Sequence, residues 1–387
     1  MAGFKDYQID IHLKGLSGEK PKIPVDFPNL QARAQAEMPS DIYDFVACGA
    51  GDEHTQDLNA AAFKKWALMP RRLVDCATRD LSVEMLNMRF ASPLFLAPIG
   101  VIGPCRPDGT GDLETARGAT AAGVPMVAAT FSNAPMEEVA KALGDDGTGF
   151  FQLYAPNDDA LAESLVRRAE TAGFKAIVVT LDTWTLGWRP RDLNAVNFPQ
   201  LRGAALANYF SDPSFRKRLA RTPEEDRAAA TLEWIKVFSR PLTWADIPWL
   251  RSLTKLPLIL KGICHPDDAR RAIDAGADAI YCSNHGGRQS NSGLATIDVL
   301  PQIVAACGTT PVLFDSGVRS GADIVKALAM GATMVGIGRP YAYGLGLGGA
   351  AGVEHVLRCL LAETDIVMAI DGYPTLADLK PEALVRT

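Results

Sequence analysis

TPVLFDSGVRSGADIVKALAMGATMVGIGRP, residues 310–340, decides the fold. Val312–Asp315 and Met334–Ile337 are short apolar runs, too uniformly apolar for strands with one wet face. Between them Gly321–Met330 repeats its apolar residues at helical spacing and stops at Met330-Gly331, a glycine C-terminal join into the next strand. The unit is strand–helix–strand, with both strand faces covered. Working outward, it recurs from residue 92. Further apolar runs are Leu94–Pro98, Met126–Thr130, Phe150–Leu153, Ala176–Leu181, Leu258–Lys261 and Ala279–Ser283. Helical patterns Gly111–Ala122, Met136–Leu143, Ala160–Ala172, Pro266–Ala275 and Ile297–Ala306 lie between them, with glycine joins at Gly123, Gly173 and Gly276. Eight buried parallel strands in alternation with helices predict a closed TIM (β/α)8 barrel. The rival, an open doubly wound sheet, wants GxGxxG after its first strand, and Pro98–Pro104 does not supply it.

The flanks make one domain of residues 1–387. Residues 1–91 read as an irregular arm of about 25 residues followed by helices at Asn29–Ala36, Asp41–Ala47 and His54–Lys64, then extended chain at Trp66–Arg72. The barrel occupies 92–372, and 373–387 form a tail. A long insertion, 190–250, follows strand four; it is charged over Asp212–Asp226 and helical over Ala228–Phe238, and is expected to act as a lid or an oligomer contact. Gly-rich Gly344–Gly349 precedes a terminal helix, Gly352–Ile370.

Of 387 residues, 48% are hydrophobic and 22% charged, enough to build a core without staples. A net charge of -6 excludes a phosphate-neutralising nucleic-acid surface. Seven cysteines without a CxxC pair argue against a disulfide framework and a structural zinc site, and no metal is expected. No apolar leader and no run of 18 apolar residues are found, so a cytoplasmic protein without a membrane partner is expected.

A barrel gathers its chemistry at the C-terminal ends of its strands. The polar residues there are Gln152 and Tyr154, Thr180 and Asp182, Lys261, Ser283 to Gln289, Asp315 to Gly321, and Gly338-Arg339. The glycine turns after strands seven and eight, with Arg339 and Arg319, read as an anion site. His285, followed by two glycines, is a candidate base; Asp182 is its candidate orienter, and Arg288 and Arg189 are candidate carboxylate clamps. Lys261 reads either as a Schiff-base lysine or as a fixed charge.

Ser283–Gln289 and Asp315–Pro340 resemble the signatures of the FMN-dependent 2-hydroxy acid oxidising family, and the resemblance runs from about Pro24 to Pro381. Gly49–Thr55, Asp182-Thr183-Trp184, Gly187–Asp192 and the long insertion are most similar to its lactate 2-monooxygenase branch. The resemblance implies a protein that binds FMN and oxidises an L-2-hydroxy acid with O2; the long insertion and the Gly-rich tail offer contact surface, so a homo-tetramer or larger homo-oligomer is expected. In that picture His285 is the base paired with Asp182, Arg288 and Arg189 hold the carboxylate, and Tyr154 touches the substrate. Lys261 would stabilise reduced, anionic flavin. Pro98, Ile99, Gly100, Thr130, Gln152, Thr180 and Ser283 would line the ring. Asp315 would bind the ribityl chain, and Gly317, Arg319, Gly338 and Arg339 the phosphate.

Two residues depart from the pattern. Phe45 stands where the family usually carries a substrate-binding tyrosine, removing one hydroxyl donor, and Phe131 replaces another common pocket side chain. A lost bond of that kind costs about 1–3 kcal/mol, which disfavours plain lactate. Coupled oxidative decarboxylation is the first expectation. The alternatives are a plain oxidase releasing H2O2, with a larger or more apolar substrate, and a quinone- or cytochrome-linked dehydrogenase. A nucleotide-processing barrel and a non-catalytic FMN binder are the rivals outside the family.

Overall fold

A computed structural model describes residues 3–238 and 240–387. Eight parallel strands close into a barrel: β1 (Leu94–Leu96), β2 (Met126–Ala128), β3 (Gly149–Leu153), β4 (Ile177–Thr180), β5 (Leu258–Ile263), β6 (Ala279–Cys282), β7 (Val312–Phe314) and β8 (Met334–Ile337). The ring shuts where β8 pairs with β1, Val335 opposite Leu94 and Ile337 opposite Leu96. Side chains alternate between two cores. Leu94, Leu96, Phe151, Val179 and Leu260 face the surrounding helices, while Phe95, Val127, Phe150, Val178, Ile259, Tyr281 and Leu313 fill the barrel. A hairpin that was not anticipated, Val83–Met85 with Met88–Phe90, plugs the foot of that inner core through Met85 and Phe90.

Among the described residues the arm is not irregular throughout. Asp6–Leu16 is a helix, and none of its residues is buried. Its hold is polar: the Lys5 amide donates to Asp365 and the Tyr7 hydroxyl meets His355 Nδ1 at 2.7 Å. Asp365 also receives Arg79 in an ion pair sealed from solvent. Helices Phe27–Glu37, Ser40–Ala47 and His54–Ala62 then cross the barrel mouth. Trp66–Leu68 pairs antiparallel with Leu384–Arg386, so the arm and the tail form a two-stranded stitch.

The Gly-rich stretch is helical rather than a preceding loop. One helix runs over Arg339–Asp371 and breaks at Gly348-Gly349, where Gly349 takes φ +58°. The carboxylate of Glu114 accepts the Ala350 amide freed by the break. This helix is long and apolar enough to cross a bilayer, but 50% of its apolar window is buried, against Gly111–Ala121, Gly321–Ala329 and Phe27–Glu37.

The insertion after β4 is fastened rather than loose. Fully buried Asn208 accepts the Met136 amide and donates to the Thr130 and Ala129 carbonyls. Arg168 donates to Asp212 and to the Asn208 carbonyl, and the Asn157 amide donates to Val237. Tyr209, Trp234 and Phe238 pack around Phe131, with centroids 5.5–6.2 Å from it.

Candidate active site

The strand ends meet in one cavity. Fourteen of the expected residues line it: Phe45, Pro98, Ile99, Gly100, Tyr154, Arg189, Lys261, His285, Arg288, Asp315, Gly317, Arg319, Gly338 and Arg339. Thr130, Gln152, Thr180 and Ser283, expected at the ring, do not border it. Thr130, Gln152 and Thr180 satisfy one another, and Ser283 serves the backbone of His285. Gln152 accepts the Thr130 amide and donates to Thr180 Oγ1 (3.0 Å), and Ser283 Oγ accepts the His285 amide.

His285 follows β6 and sits at φ +60°, a left-handed backbone unusual for a residue with a Cβ. That turn aims its ring across the mouth to β4. Nδ1 lies 2.8 Å from Asp182 Oδ1, 3.1 Å from Thr183 Oγ1 and 3.5 Å from Lys261 Nζ. Burial would raise the Asp182 pKa, yet the charges of His285 and Lys261 prevail and hold this carboxyl well below the usual range. An ionised Asp182 accepts the Nδ1 proton and leaves the Nε2 lone pair for the cavity. Burial, then Lys261, pushes the His285 pKa down against the pull of Asp182. The imidazole is therefore a neutral base at pH 7, protonated only below its ordinary range. Flavin reduction should accordingly rise with pH along an acid limb below pH ~6.5 and then level off. Asp182→Asn removes the one partner that raises the His285 pKa and frees the tautomer; the limb should move to lower pH and the rate should fall by ~10²- to 10⁴-fold. A pH series of anaerobic flavin reduction checks both, and an unmoved limb refutes the pairing.

Tyr154 is buried beside Phe131, rings 5.1 Å apart, and burial pushes its hydroxyl up to about 12, so it remains a donor. Arg189 donates to Gln289 Oε1 (2.8 Å) and to the Arg288 carbonyl. Burial and then Arg288 push its pKa down to about 10. Arg288 donates to the Cys48 carbonyl (2.6 Å), and its guanidinium stands 5.3 Å from the Phe45 ring centre. Lys261, buried on β5, lies 5.4 Å from the centre of the Tyr281 ring.

At the far end lies an excess of positive charge. Arg339 donates to the carbonyls of Val46, Cys48 and Gly286 and to Gln56. Arg319 donates to its neighbour Val318 and stands over the Phe27 ring. Among the described residues, Arg288, Arg319 and Arg339 have no carboxylate ion-pair partner. Asp323, the near carboxylate, instead accepts the Arg319 and Ser320 amides. Burial, then Arg288 and Arg319, push Arg339 down to about 9, so it remains charged at neutral pH. Three half-buried guanidiniums without carboxylate partners beside the positive-φ turn Ser316-Gly317 call for an anion from outside the chain. A phosphate at one end of the cavity and a carboxylate at the other meet that demand. Asp315, at the waist, accepts the Tyr281 hydroxyl (2.7 Å) and Ser316 Oγ. No group of three His, Cys, Asp or Glu is placed to hold a metal among the described residues.

Sequence reasoning missed Gln56 and Cys48, whose oxygens hold the arginines, and Gln200, which lines the cavity from the insertion. Gln56 lies on a helix whose pattern gives no hint of the mouth. Gln200 lies in a segment without periodicity.

Arginines without carboxylate partners and an Asp-held base at the mouth of a closed barrel define an enzyme site that pairs anion binding with acid–base chemistry. The chain belongs to the FMN-dependent dehydrogenase family, whose match spans residues 34–386, and FMN is its cofactor. It is 39% identical over 389 residues to an FMN-dependent alpha-hydroxy acid dehydrogenase, qulF, of Penicillium citrinum, covering 99% of this chain and 96% of that one. It is 38% identical to an L-lactate oxidase of Lysinibacillus sphaericus, covering 97% and 96% of the two chains. Its structure matches a soluble mutant of the membrane-associated (S)-mandelate dehydrogenase from Pseudomonas putida with a TM-score of 0.82 and 36% identity, covering 94% and 99%.

Proposed function

We propose that the protein oxidises an L-2-hydroxy acid to the 2-keto acid and passes the electrons to O2, releasing H2O2. The observation that carries this is the juxtaposition of a neutral, Asp182-held imidazole with two arginines, Arg288 and Arg189, in one cavity. The arginines hold the substrate carboxylate, and Tyr154 donates to the substrate. His285 Nε2 takes the proton released as the carbinol carbon is oxidised. FMN, when bound, accepts the two electrons and hands them to oxygen. Gly317, Gly338, Arg319 and Arg339 hold its phosphate, and Lys261 supplies a buried positive charge next to His285. Lys261 is read as a fixed charge rather than a Schiff-base lysine because His285 and Asp182 already surround its ammonium.

Coupled decarboxylation, the first expectation from sequence, now ranks behind plain oxidation. The relatives are named as oxidases and dehydrogenases of lactate, mandelate and other hydroxy acids, and none of the site's residues calls for a decarboxylating step. Phe45, Phe131 and Leu186 around the pocket favour a substrate with a larger side chain than lactate. Anaerobic mixing of the yellow protein with a panel of L-2-hydroxy acids, followed by product analysis in air, tests the reading. Keto acid with equimolar peroxide supports it; a one-carbon-shorter acid restores decarboxylation. Phe45→Tyr should return a hydroxyl donor beside Arg288 and raise kcat/KM for lactate and glycolate by ~5- to 100-fold. An unchanged profile would reject the missing hydroxyl as a specificity device. A homo-tetramer or larger homo-oligomer is proposed with this reading, and native mass measurement decides it.

A further inference from the structure

The roof of the cavity carries one polar group that the reaction does not use. Gln200 lies in the short 3-10 turn Pro199–Arg202 and is only 5% exposed. It lines the cavity together with Phe45, Phe131 and Leu186, and its side-chain carbonyl oxygen has no hydrogen-bond partner. The turn that carries it is fixed on both sides. Asn197 donates to the Asp41 carbonyl at the head of the Phe45 helix (3.0 Å). The Ala205 amide donates to Asn133 Oδ1 (2.9 Å), and the Ala207 amide to the Ser132 carbonyl, both beyond Phe131. The segment that carries Gln200 thus bridges the helix bearing Phe45 and the loop bearing Phe131.

A buried amide without a partner is unfavourable unless a ligand completes it. The carboxylate of a 2-hydroxy acid is already served by Arg288 and Arg189, and its hydroxyl by His285 and Tyr154. What remains to meet the roof is the substrate's side chain. We propose, resting on the oxidase reading, that Gln200 sets the substrate class: an L-2-hydroxy acid whose side chain has an apolar body and a hydroxyl at its end. A hydroxyl both donates and accepts, so it satisfies the amide in either orientation. A second carboxylate or an ammonium in the side chain is disfavoured, because the apolar walls of Phe45, Phe131 and Leu186 offer no opposite charge beside the amide.

The test compares pairs of acids that differ only in that hydroxyl: (S)-3-phenyllactate with (S)-3-(4-hydroxyphenyl)lactate, and (S)-2-hydroxybutanoate with (S)-2,4-dihydroxybutanoate. The readouts are anaerobic flavin reduction by the holoenzyme and the Kd of the matching keto acids, followed by flavin absorbance. In the wild type, one hydroxylated member should be favoured by ~10- to 100-fold in kcat/KM. Gln200→Leu should erase that preference and improve the plain partner; Gln200→Met, with a longer apolar chain, should do the same. Gains on the plain acid show that the variants are folded. Equal use of both members by the wild type, or a preference that survives both substitutions, overturns the role of Gln200 and leaves the oxidase reading standing. Bleaching by no hydroxy acid overturns the oxidase reading, and the substrate class with it.

Discussion

His285→Ala is expected to slow flavin reduction by ~10³- to 10⁴-fold while the purified protein remains yellow. The ring provides the single lone pair at the mouth that is both neutral and already oriented. Asp182 stands behind it, bonded to Nδ1, and Lys261 faces the same nitrogen. Neither group can substitute as the base: Lys261 holds the Asp182 carboxyl well below the usual range, which makes it a weak base, and the ammonium is a donor. Histidine tolerates the left-handed φ of +60° better than alanine does, so the substitution also adds a modest backbone strain at this turn. The arginines and glycines of the anion end do not depend on the imidazole, so FMN content should hold. Stopped-flow reduction and the flavin-to-protein absorbance ratio read the two effects separately. A variant that reduces its flavin at the native rate, or one that loses it, would overturn the assignment of His285.

Arg339→Ala should give the opposite profile, with FMN lost on desalting and Kd weakened by about 100-fold. Its guanidinium is buried without a carboxylate, so an incoming phosphate completes a site that the chain leaves electrostatically incomplete. The same side chain holds the carbonyls of Val46 and Cys48, which end the Phe45 helix. Arg319→Ala is the companion variant, since its hydrogen bond runs only to neighbouring Val318 and its longer contact is with the Phe27 ring. Fluorescence titration of stripped protein with FMN measures both variants. The fraction that retains flavin should still be reduced, because His285 and Asp182 are untouched. Native retention of FMN by both variants would remove the phosphate role of this end.

The barrel was legible because its strands are buried on both faces. Met136–Leu143 and Met334–Ile337 match their sequence readings to the residue, and the other barrel elements lie within about two residues. Elements held by polar contacts were not legible. Asp6–Leu16 buries no side chain, and Ile9, Leu13 and Leu16 face outward, so its apolar residues mark no core. The Val83–Phe90 hairpin has strands of three residues, too short for alternation to register. At the mouth, the strand-end residues were legible from position alone. Which of them face the cavity was not: Gln152 and Thr180 differ from Lys261 only in whether their neighbours already satisfy them. The lid expectation changes character too. Asn208 and Arg168 rivet the insertion to its neighbours, so it reads as a fixed roof.

The stitch between Trp66–Leu68 and Leu384–Arg386 bears on how the molecule is made. During synthesis the amino-terminal third emerges first, yet its edge strand has no partner until residue 386 has left the ribosome. The helices that carry Cys48 and Gln56 precede that edge. The cradle also needs Arg339, 283 residues beyond Gln56, so it closes only once both stretches have been made.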